Sequence, residues 1–203
     1  MTEVTARLSA ALGVESAVLP MSDDPVATVL ETQEGRLEFQ EYFVRRGQRD
    51  EVLGIELRGI EEARPTEGVL AAISGADAIV LCPSNPVVSV GPILALPGMM
   101  ETLTSSSAPK VAVSPIVGGR ALKGPADRML ASLGHEVSSA GVARMYAGLV
   151  DGMVIDRTDE RERAGIGAIG MRVLVTESVM RDAEDRASLA SETLEFGAGM
   201  VDR

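Results

Sequence analysis

At 203 residues, with 45% hydrophobic and 24% charged residues, the chain is long enough for one globular domain and too apolar for disorder. A net charge of -11 with only 2% aromatics argues against a nucleic-acid partner, because an acidic surface repels phosphate backbones and few rings remain for stacking. Cys82 is the single cysteine, which excludes an intrachain disulfide and a multi-cysteine metal site, and no run of about 18 apolar residues reads as a membrane span.

The N-terminus, Met1-Thr2-Glu3-Val4, lacks a basic stretch leading into an apolar one, so the expected location is cytoplasmic. Apolar residues at Val4, Leu8, Ala11 and Leu12 have helical spacing, and Gly13 supplies the stop. Ala17-Val18-Leu19-Pro20 reads as a short buried strand running into the polar turn Met21 to Pro25. Val26 to Thr32 predicts a strand, Glu34-Gly35 a turn, and Leu37 with Phe39 the next strand. Gln40 to Arg46 reads as a short helix, and Val52 to Leu57 alternates again. Strands this close together predict an antiparallel lobe over about 17–60.

From about Thr66 the rhythm becomes helix, strand, helix, strand. Val69, Leu70 and Ile73 form a helical stripe before Gly75, and Ala78 to Cys82 is a continuous apolar run of the length of a buried parallel strand. Met99 to Leu103 reads as helix and Val111 to Val113 as a second buried strand. Helices are expected along Leu122, Ala126, Met129, Leu130 and Leu133, ended by Gly134, and along Val142, Met145 and Leu149. Met153 to Ile155 and Val173 to Val175 complete the strands, and Ala183 to Leu194 lines a last helix. The charged stretch Asp156 to Arg163 reads as a linker or the start of a helix, its charges on a solvated face. The expectation is one α/β domain over 1–203: a Rossmann-like three-layer sandwich with a mostly parallel sheet over about 66–203, plus the strand-rich N-terminal lobe.

Ligands in open parallel sheets gather beyond the carboxyl ends of the strands. Two loops there have unusual composition. Pro83-Ser84-Asn85-Pro86, followed by Ser89 and Gly91, offers short donors on a backbone stiffened by proline. Pro115 to Pro125 carries Gly118-Gly119, Arg120 and Lys123 ahead of a helix start, a composition suited to an anion. Each loop alone also reads as ordinary turn chemistry. Neither matches the P-loop or dinucleotide patterns. Asp23 and Asp24 could support a metal or accept a proton, or simply form a turn. His135 reads as an exposed loop residue, and with no second histidine neither a zinc site nor a Cys–His nucleophile is expected.

In order along the chain, Leu19-Pro20-Met21-Ser22-Asp23-Asp24-Pro25-Val26, Phe39-Gln40-Glu41-Tyr42-Phe43-Val44, the Pro83-to-Gly98 loop, Val113 to Asp127, and Val173-Leu174-Val175-Thr176 resemble the 2-phospho-L-lactate transferases that build coenzyme F420. The resemblance implies a magnesium-dependent transfer of a phospholactyl or phosphoenolpyruvyl group from a GDP-linked donor to the deazaflavin Fo, releasing GMP. It implies that Ser84, Asn85, Ser89, Gly91, Gly118, Gly119 and Lys123 bind phosphate or deazaflavin, and that Asp23 and Asp24 serve metal or hydroxyl. Its partners would be these small molecules, with no nucleic acid and no membrane; a homodimer stays open.

Two departures stand out. Cys82 occupies a position that is commonly glycine in the family, and this sequence starts after the family's N-terminal strand and Gly-Gly-Thr-Gly nucleotide loop. Alternatives are therefore a nucleotide-diphosphate-binding regulatory protein of the same fold, or an inactive truncated domain.

Overall fold

A computed structural model describes residues 1–200. The N-terminal helix α1 (Thr2–Ala11) buries none of its residues. The lobe follows as β1 (Ala27–Thr32), β2 (Gly35–Glu38) and β3 (Val52–Arg58), an antiparallel sheet in the order β2-β1-β3. Between β2 and β3 the chain takes a π-helical turn, Glu41–Arg45. The lobe's core is Leu30, Leu37, Tyr42 and Val52, closed from the other side by Met129.

The remaining elements are α2 (Glu67–Ser74), β4 (Ile79–Leu81), a second π-helical turn Pro86–Val90, α3 (Gly91–Leu94), α4 (Met99–Ser105) and β5 (Lys110–Val113). After them come β6 (Ile116–Val117), β7 (Arg120–Ala121), α5 (Ala126–Ser132), α6 (Ser139–Met145) and β8 (Gly152–Asp156). A 3-10 helix, Arg157–Glu162, then leads into α7 (Arg163–Gly167), β9 (Arg172–Thr176) and α8 (Ala183–Ala198).

Strands β4, β5, β8 and β9 form one parallel sheet in that order. Successive strand residues point to opposite faces, and the packing follows that alternation. Val111, Val113 and Val154 meet Leu189 and Phe196 of α8 on one face. Ala112, Met153 and Ile155 meet Leu96, Met99, Leu103, Val142 and Ile166 on the other. Helices therefore cover both faces, as the continuous apolar strands predict. The small antiparallel sheet precedes this α/β portion, also as expected.

Several expectations fail locally: Phe39 lies beyond β2 in a helical turn, Leu149 lies beyond α6, and Asp156 and Asp159 of the charged stretch are buried. Ala17 to Pro20 forms no strand, and Val18 and Leu19 are exposed. A ladder needs a partner edge, and this segment has only one bridge nearby, Ser22 to Pro65. It runs as irregular chain fastened to Thr66, whose hydroxyl donates to the Pro20 carbonyl. Leu122 lies outside α5 and is exposed, because the chain spends residues 116–121 on a two-stranded hairpin first. Among the described residues no single helix is long and apolar enough to cross a membrane.

Candidate functional site

The carboxyl ends of β4, β5 and β9 open into a cleft of about 550 Å³. Its walls come from three strand-to-helix connections: Ser84, Asn85 and Ser89 after β4, Lys123 on the return from the β6–β7 hairpin, and Ser178 with Arg186 after β9. Phe39 and Phe43 of the lobe close it from above, stacked with ring centroids 5.4 Å apart and partly exposed.

The charge balance of this cleft opposes that of the molecule. The chain has 30 acidic residues, yet none lines the cleft, whereas Lys123 and Arg186 both do. Neither cation has an ion-pair partner among the described residues; Arg186 uses one nitrogen to donate to the Asp182 carbonyl. Two unpaired cations over a carboxylate-free, partly apolar floor make a local positive potential suited to an anion that carries a flat apolar group.

Both π-helical turns of the described chain border the cleft, one carrying Phe43 and the other Val88 and Ser89. Such turns are rare and recur at functional sites, because the widened coil re-aims a side chain. The Asn85 side chain caps the second turn, accepting hydrogen bonds from the N–H groups of Val87 and Val88. Asn85→Ala should cost about 1 kcal/mol of stability by the usual capping penalty. A urea titration checks this, and an unchanged midpoint would mean the cap is dispensable.

The residues singled out from the sequence separate into groups. Ser84, Asn85, Ser89 and Lys123 meet in the cleft. Gly91, Gly118 and Gly119 do not line it. The Gly91 N–H donates to the Pro86 carbonyl as the π-helical turn passes into α3. Gly118 and Gly119, at φ +58° and +75°, form the two-residue turn between β6 and β7, a conformation that glycine adopts without strain. The Gly118 N–H is already occupied, donating to both oxygens of Asp159 at 3.1 and 3.0 Å.

Asp23 and Asp24 sit elsewhere, in a shallow depression beside Arg64 to Gly68. Asp23 pairs with the Met1 amino group at 2.6 Å and accepts from the Thr2 N–H and hydroxyl. The bond to that amine, then those from Thr2, hold its carboxyl down to about 2. Asp24 accepts the Arg64 N–H at 2.9 Å.

A magnesium site finds no support in this donor set. Among the described residues no three histidine, cysteine, aspartate or glutamate side chains gather to hold a metal, and the cleft lining has no carboxylate at all.

Sequence reasoning missed Phe39, Phe43, Ser178 and Arg186. The signal for the last two was topological: the connection after the last parallel strand must open on the same edge as the other two. Ser178 is held by Asp156 at the end of β8, which accepts its N–H at 3.0 Å and its hydroxyl at 3.2 Å, and accepts the Thr158 N–H at 2.9 Å. Burial pushes the Asp156 carboxyl up, but these donors to its ionised form outweigh burial and hold it below the ordinary value.

A depressed folded-state pKa gives stability that is whole above the unfolded value of about 3.9 and is lost as pH falls through the folded one. The urea midpoint should therefore drop below about pH 4, and Asp156→Asn, neutral at every pH, should make that drop shallower. An acid limb of unaltered slope in the variant would refute the assignment.

Comparison with known proteins agrees with this architecture. The model of the family described as 2-phospho-L-lactate transferase CofD matches residues 1–186. A 2-phospho-L-lactate transferase of Methanosarcina acetivorans is 38% identical over 100% of this chain and 64% of its own length. A phosphoenolpyruvate transferase of Streptomyces griseus is 41% identical over 97% of this chain and 63% of its own. The chain thus spans less than two thirds of these relatives. In structure it is similar to protein BH3568 of Bacillus halodurans, with a TM-score of 0.64 at 19% identity over 95% of this chain and 66% of that one, a likeness of fold.

Proposed function

The chain belongs to the CofD family of 2-phospho-L-lactate transferases, and on that premise we propose that its cleft binds the phosphate-bearing substrates of a transfer reaction in coenzyme F420 formation. The reaction so inferred passes a phospholactyl or phosphoenolpyruvyl group from a GDP-linked donor to a deazaflavin hydroxyl. A new P–O bond forms to that oxygen as the bond from the same phosphorus to the GMP oxygen breaks, and the hydroxyl proton is released.

The observation that carries this reading is the carboxylate-free cleft holding Lys123 and Arg186 in a chain of net charge -11. In such a transfer the protein contributes mainly position and charge stabilisation. Lys123 and Arg186 would neutralise phosphate oxygens, Ser84 and Ser89 would hydrogen-bond them, and the Phe39–Phe43 lip would stack against a planar ring.

The test is incubation of the chain with the deazaflavin, each GDP-linked donor and magnesium, followed by mass spectrometry of the products. Thermal melting with GDP, GMP and UDP runs in parallel. Product formation, or a melting temperature raised by GDP and not by UDP, supports the reading. No product and no guanine-specific shift would sink it.

A further inference from the structure

The segment from Asp156 to Glu162 has an arrangement its composition hides. It continues β8 as a 3-10 helix six residues long, in a conformation where side chains three apart eclipse. Asp156 at its N-cap and Asp159 and Glu162 within it fall on that period, the first two 4% and 1% exposed and Glu162 half-buried, while Glu160 off the period is exposed. Each of the three on the period accepts a backbone N–H from a different neighbour. Asp156 takes Ser178 of the connection after β9, Asp159 takes Gly118 at the hairpin tip, and Glu162 takes Ala140 at the start of α6 at 2.8 Å.

None of the three has a cationic partner among the described residues, so charge pairing does not explain their burial. One of the bonds ends on the cleft wall, at Ser178, and a second ends at Gly118, outside the lining but between the cleft-lining residues Val117 and Lys123. Ser178 lies four residues before Asp182, whose carboxylate caps α8 by accepting the Asp185 N–H, and Arg186 stands on the first turn of that helix. Gly118 is the turn from which β7 runs directly into Lys123.

We propose that Asp156 and Asp159 are positioning residues for the cleft: from one rigid turn they fix the two walls that carry Arg186 and Lys123, and so set the separation of the two cations. Carboxylates suit this task better than amides. Asp156 accepts three donors over its two oxygens and Asp159 accepts on both, whereas an asparagine would present an N–H₂ to one side. The inference rests on the reading of the cleft as an anion site.

The experiment uses the full chain with inorganic pyrophosphate as probe. Calorimetric affinity and backbone hydrogen exchange are measured for wild type, Asp156→Asn and Asp159→Asn. The expected result is a pyrophosphate Kd raised about tenfold, with exchange accelerated at Ser178 in the first variant and at Gly118 in the second, while exchange in β5 and β8 stays at the wild-type rate. Where either variant fails to fold, Asp156→Glu or Asp159→Glu, which keeps the charge and displaces the carboxylate by one methylene, is read the same way.

Wild-type affinity retained in the variants, or exchange accelerated evenly along the chain, would overturn the positioning role while leaving the anion site intact. Failure of the wild type to bind pyrophosphate would overturn both.

Discussion

Lys123→Glu should raise the pyrophosphate dissociation constant of the cleft roughly a hundredfold. A hydrogen bond to a charged group contributes about 1.5–3 kcal/mol, and at the lower end of that range, which suits an exposed side chain, its loss alone accounts for about a tenfold change. Placing a carboxylate where the floor has none adds repulsion, reduced by solvent because Lys123 is exposed. The neutral variant Lys123→Met separates the two effects and should lose about tenfold. Wild-type affinity should also fall more steeply with added salt than that of Lys123→Met, since one cation fewer remains to be screened. Titration calorimetry at two ionic strengths measures all of this. Equal affinities for wild type and Lys123→Glu would remove Lys123 from the site.

Gly141→Ala should destabilise the fold by about 3 kcal/mol or more, although glycine to alanine inside a helix ordinarily gains about 0.5–1 kcal/mol. The reason is contact with main chain. A Cβ at Gly141 would overlap the Glu136 carbonyl oxygen and come within 2.9 Å of the carbonyl carbon, and backbone cannot rotate aside as a side chain can. The same residue donates its N–H to the Ser138 hydroxyl that caps α6, so a shift to relieve the overlap also breaks the cap. Gly165 in α7 is the control: a Cβ there meets nothing within 4 Å, and Gly165→Ala should stabilise by about 0.5–1 kcal/mol. Urea unfolding at unchanged m-value measures both. A Gly141→Ala protein as stable as wild type would mean that α6 can move freely against the preceding turn.

The four parallel strands were legible in the sequence because strands buried on both faces must be apolar without interruption, and Ile79–Leu81, Val111–Val113, Met153–Ile155 and Val173–Val175 are. The lobe was legible through alternation and the Gly35 turn. The two loops that supply Ser84, Asn85, Ser89 and Lys123 to the cleft could be picked out by composition, since short donors and a cation after a buried strand are unusual.

Three things were not legible. Gly118-Gly119 reads equally as phosphate cradle or hairpin turn, and only the φ angles and the Asp159 carboxylate on the Gly118 N–H distinguish them. Phe39 and Phe43 are four apart, a separation equally compatible with strand and helix, and their stacking depends on a π-helical turn that no periodicity announces. Alternating signs in Asp156 to Arg163 suggest a solvated face, whereas the period of three of a 3-10 helix turns Asp156 and Asp159 inward and leaves Glu160 outside.

Cys82 gives this chain a practical address. It is the only thiol, it is exposed, and it stands one peptide from Pro83 where the chain leaves β4 for the cleft wall. A maleimide dye would therefore attach at one place, and its emission would respond to what enters beside Ser84. The molecule carries its own attachment point for a fluorescent reporter, and occupancy of the cleft can be followed in real time without knowing the turnover chemistry.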